Sequence, residues 1–412
     1  MRVLALTVIF LLSMHGRGEA QILDRLGKKV ENKVKQRVDR KVDKAVDKGL
    51  DKVEEKIDKS TKGGVSSTTV KGKTSSDPNV MSSNYDFIPG DQLLFYDDFS
   101  NTAYGDFPSK WNTTVGGKVV KFSNLTGNWF MVGDNALSFP LLKGSLPQNF
   151  TVEFDLYYPD NAVRPPVTFG FSEVANPAKQ SIQRKKLFYF VIPKSNNVEN
   201  VVGYTTNMYS GHETFTEWDV RGHTGKVVHV SIAVNGERIR LYMDTEKLFD
   251  LPKAFDNNAY RNNFHLRAAE VIPKPKDGFY VSNVRIAAVS KDLSAALIGE
   301  GKLVVSGIHF DSGSDRIKAV SYNILNEIGL LMQHNPSAKF EIVGHTDSDG
   351  GAQLNQRLSL QRAEAVRQYL MKNFNIPASQ LVAIGKGASE PVASNATAEG
   401  KAQNRRVEFI RK

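Results

Sequence analysis

The sequence predicts a multidomain protein in which a long charged helix precedes an all-β sandwich, and the sandwich precedes an α/β domain. Three patterns along the 412 residues support this order. Near the N-terminus apolar residues recur about every fourth position, and in the middle they alternate with polar residues. Near the C-terminus strand and helix periods follow each other. A chain of this length accommodates two or three domains.

The N-terminal residues 1–20 are arranged as a secretory signal. Arg2 supplies a positive charge, and the apolar run from Val3 to Met14 is shorter than the roughly 20 residues that span a bilayer. Small residues near Ala20 place the cleavage site after that residue. The open alternative is an uncleaved membrane anchor.

Residues 21–60 are predicted to form one charged helix. Valine or leucine recurs nearly every fourth position, as at Val30, Val34 and Val38, with charged residues between. This stripe is too thin for a globular core, and a spacing of four drifts around a helix that repeats every 3.6 residues. A solvated spacer, a self-associating coiled coil and a membrane-surface helix all remain open. The Ser-, Thr-, Gly- and Lys-rich residues 61–90 are predicted to be a flexible linker.

Residues 91–290 are predicted to form the all-β domain. The segment 150–156 alternates apolar and polar residues, which is typical of a half-buried strand. The segment 228–234 alternates in the same way and is followed by Asn235-Gly236, a signal for a two-residue hairpin. Many short strands with turn signals between them favour a sandwich.

A connector at residues 291–300 is predicted to lead into an α/β domain over residues 301–412. Strand and helix patterns alternate in this region. The strands are predicted at 303–308, 340–343, 381–384 and 407–410, and the helices around 324–332 and 363–370. This order favours helices packed on one sheet.

The composition excludes several classes of function. The chain contains no cysteine, which excludes disulfides, thiol catalysis, cysteine-ligated zinc and a lipidated N-terminal cysteine. The formal net charge is +10, but basic residues are interleaved with acidic ones. Because an exported protein seldom meets nucleic acid, we expect an anionic polymer or a membrane surface as the partner class.

An acid and a base in the C-terminal region are spaced for one binding pocket. The run Gly344-His345-Thr346-Asp347 follows a predicted strand, and Arg362 lies at the start of the next helix. Asp347 can accept an ammonium group, and the Arg362 guanidinium can bind a carboxylate through two parallel hydrogen bonds. Backbone N–H groups at the helix start also favour a carboxylate. The sequence therefore predicts a site for a zwitterion.

These motifs resemble the OmpA-like peptidoglycan-binding domain over about residues 301–412. The resemblance rests on Gly344-His345-Thr346-Asp347, Asn355, Leu358-Ser359, Arg362-Ala363, Gly385 to Gly387 and Asn404-Arg405-Arg406-Val407. It implies that the ligand is the diaminopimelate of the peptidoglycan stem peptide. By position, Asp347 and Arg362 match the pair that holds its side-chain ammonium and carboxylate, and Thr346 and Asn355 match neighbours in the same pocket.

The resemblance also implies the residues of the pocket wall. Phe310, Asp311 and Leu358 lie where the family's wall is found. Gly313 occupies a loop position that often carries a polar side chain in relatives, so the backbone would supply that contact here. Whether Arg405 supports the fold or pocket rim, or lies at a solvated strand end, is left open.

His345 and Arg406 complete the set of polar residues near this motif. The same alternatives that are open for Arg405 are open for Arg406. His345 is expected to be a hydrogen-bonded structural histidine. Because no cysteine or second histidine lies nearby in the sequence, no metal site is expected there.

The middle region resembles a concanavalin A-like lectin/glucanase sandwich of the laminin G-like, jelly-roll type. The resemblance rests on segments 97–100, 107–111, 150–156 and 279–284. Some members hydrolyse glycans with paired glutamates on one strand. Here Glu153 and Asp155 supply the first half of that motif, while Tyr157 and Tyr158 stand where the second glutamate is expected. We therefore expect no catalysis and place Glu153 and Asp155 on the solvated face of a strand.

The ligand of the sandwich is left open between a glycan and an envelope protein. Trp111, Trp129 and Trp218 can stack on sugars, but aromatic residues of a sandwich more often lie in the core. Asp97 or Asp98 is a candidate ligand for a structural calcium ion, and no other cofactor is expected.

Together these features predict a non-enzymatic, non-covalently peptidoglycan-binding protein of the Gram-negative envelope. We expect it to be secreted into the periplasm, at the cell wall or the outer membrane. Two alternatives remain: a wall- or polysaccharide-degrading enzyme targeted by the C-terminal domain, and a structural adaptor with a protein-binding sandwich.

Overall fold

A computed structural model describes most of the chain after residue 84. The described residues are 85–133, 135–159, 166–179, 181, 185–193, 200–206, 213–268, 279–290 and 292–412. They belong to one compact unit. The signal peptide, the charged helix and most of the flexible linker lie outside the described residues and stay predictions. No helix of the described part is long and apolar enough to cross a bilayer.

The described residues of the middle region form fifteen strands. In chain order they are β1 (Gln92–Asp97), β2 (Trp111–Thr113), β3 (Gly117–Val120), β4 (Trp129–Val132), β5 (Leu137–Pro140), β6 (Asn149–Tyr157), β7 (Val167–Ser172), β8 (Leu187–Ile192), β9 (Val201–Thr206), β10 (Glu213–Glu217), β11 (Val227–Asn235), β12 (Arg238–Met243), β13 (Glu246–Leu251), β14 (Asn263–Ala268) and β15 (Tyr280–Ala288). The prediction that this region is mostly β-sheet is confirmed, and its jelly-roll type stays a prediction. We call this region the β-domain.

The strands of the β-domain form two antiparallel sheets around one core. Sheet A has eight strands in the order β13-β12-β11-β6-β15-β4-β3, with β1 paired to β15. Sheet B has seven strands in the order β10-β9-β8-β7-β14-β5-β2. Phe154 of sheet A packs edge-to-face on Phe169 of sheet B at 5.4 Å between ring centroids. Burial of such large apolar rings is the main stabilising contribution to the two-sheet structure.

The alternating pattern of β6 sets which residues face this core. Phe150, Val152, Phe154 and Leu156 are buried in it, because successive side chains of a strand point to opposite faces. β6 pairs with β11, and β11 pairs with β12 through a tight turn in which Gly236 has a φ of 60°. The predicted hairpin is therefore present, and its loop lies one residue later than the sequence signal because Asn235 still pairs with Arg238.

The C-terminal domain is a four-stranded sheet with helices on it. Its elements are β16 (Lys302–Val305), α1 (Tyr322–Gln333), β17 (Phe340–His345), α2 (Ala352–Phe374), β18 (Leu381–Gly387), α3 (Ala398–Asn404) and β19 (Val407–Arg411). The strand order is β16-β19-β17-β18, and only the β17–β18 pair is parallel. Apolar residues of α1 such as Ile328 and of α2 such as Val366 share a core with Ile342. The predicted α/β architecture is confirmed.

Two segments predicted as connectors pack against these domains. Tyr85 and Phe87, from the end of the predicted flexible linker, are buried against Tyr242. Ala296 and Leu297, within the predicted connector 291–300, are buried in the core of the C-terminal domain. Val320 of the C-terminal domain also packs against the cluster of Tyr85, Phe87 and Tyr242, so this segment contacts both domains.

Candidate functional site

The loop that follows β17 carries Asp347 and is held in place by α2. Asn355, in the first turn of α2, donates hydrogen bonds from Nδ2 to the backbone oxygens of Asp347 at 3.2 Å and Asp349 at 3.0 Å. Asp347 Oδ1 accepts a hydrogen bond of 3.1 Å from the backbone N–H of Asp349. Asn355 was predicted to line the pocket, and in the structure its amide nitrogen fixes the loop that presents Asp347.

Small residues of the motif allow α2 to pack closely on this loop. A Cβ atom at Gly344 would lie 2.3 Å from the backbone oxygen of Ser359, so only glycine fits there. The Ser359 hydroxyl accepts a hydrogen bond of 2.8 Å from the backbone N–H of Gly387. Thus Gly344, Ser359 and Gly387 position the site without contacting a ligand.

The carboxylate of Asp347 forms an ion pair with Arg405. The distance from Arg405 Nη1 to Asp347 Oδ2 is 2.6 Å. Burial alone would lower the pKa of Arg405, but Tyr96 and the bond to Asp347 outweigh it and hold that pKa above its usual value. Of the two alternatives left open for Arg405, the structure supports the pocket rim.

Arg405 also reaches the β-domain. Its Nη2 atom donates a hydrogen bond of 3.1 Å to the Tyr96 hydroxyl, and its guanidinium lies 5.7 Å from the Tyr96 ring centroid. Tyr96 is on β1, so the arginine that pairs with Asp347 also contacts the β-domain. Sequence analysis did not identify Tyr96, because nothing local marks a tyrosine that contacts a residue 309 positions later.

Arg362 is held beside Asp347 by a ring and a carbonyl group. Its guanidinium lies 4.9 Å from the Phe310 ring centroid, and its Nε donates a hydrogen bond of 3.0 Å to the backbone oxygen of Ser314. Burial lowers the pKa of Arg362, and the charge of Asp347 opposes this shift. Within the described residues, neither terminal nitrogen of Arg362 makes a hydrogen bond, so both remain available to a carboxylate.

The position of Arg362 differs from the prediction in one respect. Arg362 was placed at the start of a helix, whereas α2 begins ten residues earlier, at Ala352. Ten residues correspond to about 15 Å along a helix. The N-terminal N–H groups of α2 therefore do not act on the same group as Arg362, and the prediction that they help bind its carboxylate is wrong.

A short hairpin loop supplies the wall of the site. Phe310 pairs with Ile317 through an isolated bridge, and the Asp311 carboxylate pairs with Arg316. Gly313, with a φ of 64°, turns the chain so that the carbonyl of Ser314 meets Arg362. A backbone oxygen of this loop thus contacts Arg362, in agreement with the expectation that the backbone near Gly313 supplies a contact of the site.

Two further predicted residues lie beside Asp347 and Arg362 in the sequence. Thr346 is buried and its hydroxyl has no hydrogen-bond partner within the described residues. An unpaired buried hydroxyl is costly, so a bound polar group at this point would be favourable. Leu358 is half-buried on α2. We call Asp347, Arg362, Thr346 and Phe310 the zwitterion pocket.

His345 and Arg406 form a separate buried group in the sheet of the C-terminal domain. Arg406 pairs with Glu408 at 2.8 Å between Nη2 and Oε1, and both side chains are buried. The prediction that Arg406 could lie at a solvated strand end is thereby excluded. Neither ring nitrogen of His345 has a hydrogen-bond partner in the described structure. The prediction that His345 is hydrogen-bonded is wrong, because Glu408 Oε1 lies 3.8 Å from its Nε2 atom, beyond hydrogen-bond range.

The predicted solvated carboxylates of β6 are covered by the C-terminal domain. Glu153 is 2% exposed and pairs with Arg285 at 2.7 Å. Asp155 Oδ1 lies 2.8 Å from Nδ1 of His229. The prediction of a solvated face is therefore wrong, because His309 of the C-terminal domain lies 3.6 Å from Glu153 Oε2 and helps to close this face of sheet A.

Charges in this group compensate one another. Burial opposes the charged form of Glu153, but Arg285 and the neighbouring histidines hold its pKa well below the usual range. Burial alone would lower the pKa of His229, but its hydrogen bond to Asp155 and the nearby Glu153 carboxylate raise it to about 10. We call Glu153, Asp155, His229, Arg285 and His309 the interdomain cluster. Sequence analysis did not connect these residues, which come from separate strands and from two domains.

The remaining candidates of the β-domain are engaged within it. Asp97 accepts hydrogen bonds from the Phe99 backbone N–H at 2.9 Å and from the Trp111 indole at 3.1 Å. Burial raises the pKa of Asp97 to about 6, which disfavours the anion that calcium requires. Asp98 Oδ1 accepts from the N–H and the hydroxyl of Ser100.

The three tryptophans of the chain are all buried. Trp111 and Trp218 belong to the main core of the β-domain, and Trp129 packs beside Tyr157 and Tyr280. Their expected place in the core is thus confirmed. Buried rings cannot stack on a sugar without rearrangement of the core.

Comparison with known proteins agrees with the geometry of the C-terminal domain. Residues 309–405 match the model of the OmpA family. The probable lipoprotein YiaD of Escherichia coli strain K12 is 43% identical over 104 residues, which are 25% of this chain and 47% of that protein. The peptidoglycan-binding protein ArfA of Mycobacterium tuberculosis strain H37Rv is 37% identical over 103 residues, 25% of this chain and 31% of that protein.

Among solved structures, the peptidoglycan-associated lipoprotein from Burkholderia pseudomallei is 28% identical over 26% of this chain and 88% of that chain, with a TM-score of 0.24. The chain spans about half or less of the length of the two curated relatives. Each of these three similarities covers about a quarter of the chain. Residues 309–405 are therefore an OmpA family domain, and over this domain the chain is similar to YiaD and ArfA.

Proposed function

We propose that this chain binds peptidoglycan non-covalently in the periplasm of a Gram-negative cell and takes the diaminopimelate of the stem peptide in the zwitterion pocket. The observation that carries the proposal is that Asp347 and Arg362 lie in one pocket, close enough for the charge of Asp347 to oppose the lowering of the Arg362 pKa by burial. A buried carboxylate lies beside a guanidinium whose two terminal nitrogens are unused within the described residues. The side chain of diaminopimelate ends in one ammonium and one carboxylate, which match these two charges.

Each charge has a defined role in this proposal. The ammonium group donates to the carboxylate of Asp347 and shares it with Arg405, and charge-assisted hydrogen bonds of this kind are the strong ones. The carboxylate receives two parallel hydrogen bonds from Arg362, whose plane is fixed by Phe310 and by the carbonyl of Ser314. The hydroxyl of Thr346 is an additional donor or acceptor beside Asp347.

The first experiment is co-sedimentation of the purified chain with peptidoglycan of the diaminopimelate type. Asp347→Asn and Arg362→Gln remove one charge each; the first keeps the side-chain shape, and the second replaces the guanidinium by a shorter neutral amide. Each loss should cost about 2–4 kcal/mol of binding free energy, roughly 30-fold or more in affinity. Arg357→Gln on the exposed face of α2 and Glu327→Gln on the exposed face of α1 are matched controls that should still pellet.

The ligand can be identified with a second polymer. Peptidoglycan whose stem peptides carry lysine retains the ammonium but lacks the carboxylate. If Arg362 binds that carboxylate, the wild-type chain should prefer the diaminopimelate polymer, and Arg362→Gln should bind both polymers equally weakly. Equal pelleting of wild type with both polymers would contradict the assignment of Arg362.

We also propose that the β-domain is a non-catalytic binding module for a glycan or an envelope protein. Three features of β6 support this proposal: Glu153 is neutralised by Arg285, it lies beneath the C-terminal domain, and Tyr157 and Tyr158 follow where a second glutamate is expected. Retaining hydrolysis needs two carboxyl groups that both reach the scissile bond. Incubation of the full chain with peptidoglycan and with β-glucans should release no soluble sugar, and release that is lost in Glu153→Gln would contradict this proposal.

The location and attachment of the protein follow as further parts of the proposal. Export through the N-terminal signal would bring the OmpA family domain to the cell wall. Attachment to the outer membrane, and self-association through the predicted helix at residues 21–60, would be additional contacts. Fractionation of cells that express the full chain should recover it with the envelope, and deletion of residues 1–20 should leave it in the cytoplasm.

A further inference from the structure

The interdomain cluster brings two histidines and one glutamate together from three elements. Glu153 is on β6, and His229 is on the neighbouring strand β11. His309 belongs to the C-terminal domain. The backbone of His309 is fixed there, since its N–H donates 2.7 Å to the hydroxyl of Ser321 and its carbonyl accepts 2.9 Å from the N–H of Lys318. The three side chains are therefore presented by rigid parts of both domains.

The ligating atoms of this group have the spacing of a metal site. Glu153 Oε2 lies 3.7 Å from His229 Nε2 and 3.6 Å from His309 Nε2. One ligand atom from each of the three residues lies within 4.8 Å of the others. Around a tetrahedral zinc ion with bonds of about 2.0–2.2 Å, ligand atoms are separated by roughly 3.3–3.6 Å. The two glutamate–histidine separations are thus close to this range, and the ligating nitrogens of the two histidines, which lie within 4.8 Å of each other, would approach each other to bind one ion.

One of the ligating nitrogens has no other partner in the described structure. Nε2 of His309 is buried and has no hydrogen-bond partner. The two histidine–glutamate distances exceed the range of an ordinary hydrogen bond. A buried nitrogen without a partner is costly, and a metal ion would satisfy it.

Surrounding residues orient the ligands as they do around known zinc ions. His229 uses Nδ1 to hydrogen-bond Asp155 Oδ1 at 2.8 Å, which directs Nε2 toward Glu153. Asp155 is itself held by Asn283, which donates 2.8 Å to Oδ2. Arg285 binds Oε1 of Glu153 and leaves Oε2 for the ion. A carboxylate behind a ligating histidine is a regular feature of zinc sites.

We propose that Glu153, His229 and His309 bind one divalent transition-metal ion, with Zn²⁺ as the favoured ion, and that this ion joins the β-domain to the C-terminal domain. Two imidazoles and one carboxylate suit Zn²⁺ better than Ca²⁺ or Mg²⁺, which prefer oxygen ligands. Three protein ligands leave a fourth position for water. The ring of His229, whose charged form Asp155 and Glu153 stabilise, has to release its proton when the ion binds, so the ion should bind more tightly at higher pH.

The ion would also act close to the zwitterion pocket. His309 immediately precedes Phe310, whose ring lies beneath Arg362. An ion bound by His309 would fix this loop against sheet A. Because the ion binds the folded state, it should raise the melting temperature of the chain in proportion to the logarithm of its concentration.

The test is a titration of the chelator-treated full chain with Zn²⁺, followed by calorimetry, and with Co²⁺, followed by visible absorption. We expect one ion per chain and Co²⁺ bands of tetrahedral intensity. His309→Gln should weaken Zn²⁺ binding at least about 100-fold, and Asp155→Asn, which touches no ion, about 10-fold or more. His334→Gln, at an exposed histidine of the same domain, should bind like wild type.

A second variant separates loss of a ligand from loss of structure. The chain has no cysteine, so His309→Cys introduces a single thiol at the proposed site. It should restore tight Zn²⁺ binding and give Co²⁺ an intense near-ultraviolet thiolate band. The proposal is overturned if wild type binds no stoichiometric Zn²⁺, if His309→Gln binds as tightly as wild type, or if His309→Cys shows no thiolate band. None of these results depends on peptidoglycan.

Discussion

Arg405 lies between the carboxylate of Asp347 and the hydroxyl of Tyr96, at 2.6 Å from the first and 3.1 Å from the second. The acid of the zwitterion pocket is therefore connected to the β-domain through a single guanidinium. Such an arrangement makes the β-domain part of the support of the pocket, and it implies that changes on β1 affect the stability of the C-terminal domain.

This connection predicts an energetic coupling between Tyr96 and Arg405. Tyr96→Phe removes the hydrogen bond from Arg405 and the 3.3 Å hydrogen bond to Asn283 Oδ1, and Arg405→Gln removes the charge itself. The double variant should be less destabilised than the sum of the single variants by about 1 kcal/mol of unfolding free energy. Urea unfolding of the four proteins measures this difference. Tyr104→Phe, whose exposed hydroxyl bonds Asn128 within the β-domain, should show no coupling to Arg405→Gln.

The ring beneath Arg362 predicts a second effect. Phe310→Ala removes the surface on which the guanidinium is held at 4.9 Å, so Arg362 gains freedom that peptidoglycan must then restrict. Such contacts are worth about 1 kcal/mol, which corresponds to roughly fivefold weaker binding. Phe310→Tyr keeps the ring and should bind like wild type in co-sedimentation. Equal affinity of the alanine and tyrosine variants would show that the ring does not position Arg362.

Much of the fold and part of the site could be predicted from the sequence because both depend on residues that are close to one another along the chain. The strands β6, β11 and β15 and the helix α1 have apolar periods that match their geometry, so local pattern and tertiary burial agree. The motif from Gly344 to Asp347 lies in one loop, and Arg362 lies on the helix that packs beside it. Short-range spacing therefore contained most of the information about the zwitterion pocket.

The contacts between the domains could not be predicted in this way. Alternation on β6 correctly assigned Glu153 to the outer face of sheet A, but periodicity does not tell whether water or another domain covers that face. His309 and Tyr96 have no distinguishing neighbours in the sequence, and their partners are far away along the chain. These residues come together only in the folded structure, where His309 joins the interdomain cluster and Tyr96 lies at the rim of the pocket.

The buried pair of Arg285 and Glu153 predicts a large loss of stability when only one partner is removed. Arg285→Met leaves the Glu153 carboxylate without its counter-charge, and it leaves the backbone oxygen of Gly90 without the 2.6 Å bond from Nη2. Breaking a buried pair in this way costs about 3–5 kcal/mol. Calorimetry of chelator-treated protein would show a correspondingly lower melting temperature. Arg238→Met, which breaks a pair with Asp250 at the surface, should change it far less.

A similar melting temperature for Arg285→Met and wild type would contradict this account. It would mean that water or another cation compensates Glu153, and that the outer face of sheet A is less closed than its burial indicates. Glu153→Gln tests the same ion pair from the side of the acid. It keeps an acceptor for Arg285 but removes the negative charge, so its melting temperature should lie between those of wild type and Arg285→Met.

His345 predicts how stability depends on pH in the acidic range. The ring is 3% exposed, and burial, assisted by the positive charge of Arg406, lowers its pKa from 6.5 to about 4. Glu408 and Glu390 oppose this shift and Lys302 adds to it. Below pH 6.5 His345 is protonated in the unfolded chain, whereas in the folded chain it is protonated only below about pH 4. The unfolding free energy contributed by this residue should therefore fall by roughly 3 kcal/mol as the pH decreases across that window.

The measurement compares His345→Gln with wild type in urea unfolding at several pH values between 7 and 4. Glutamine does not titrate, so the difference between the two curves isolates His345 from every other group that titrates in the same range. The wild-type chain should lose more stability than the variant as the pH falls, and the exposed His334→Gln should follow wild type. Parallel curves for wild type and His345→Gln would require that the ring accepts a proton in the folded state near pH 6.5, with Glu408 as the compensating charge 3.8 Å away.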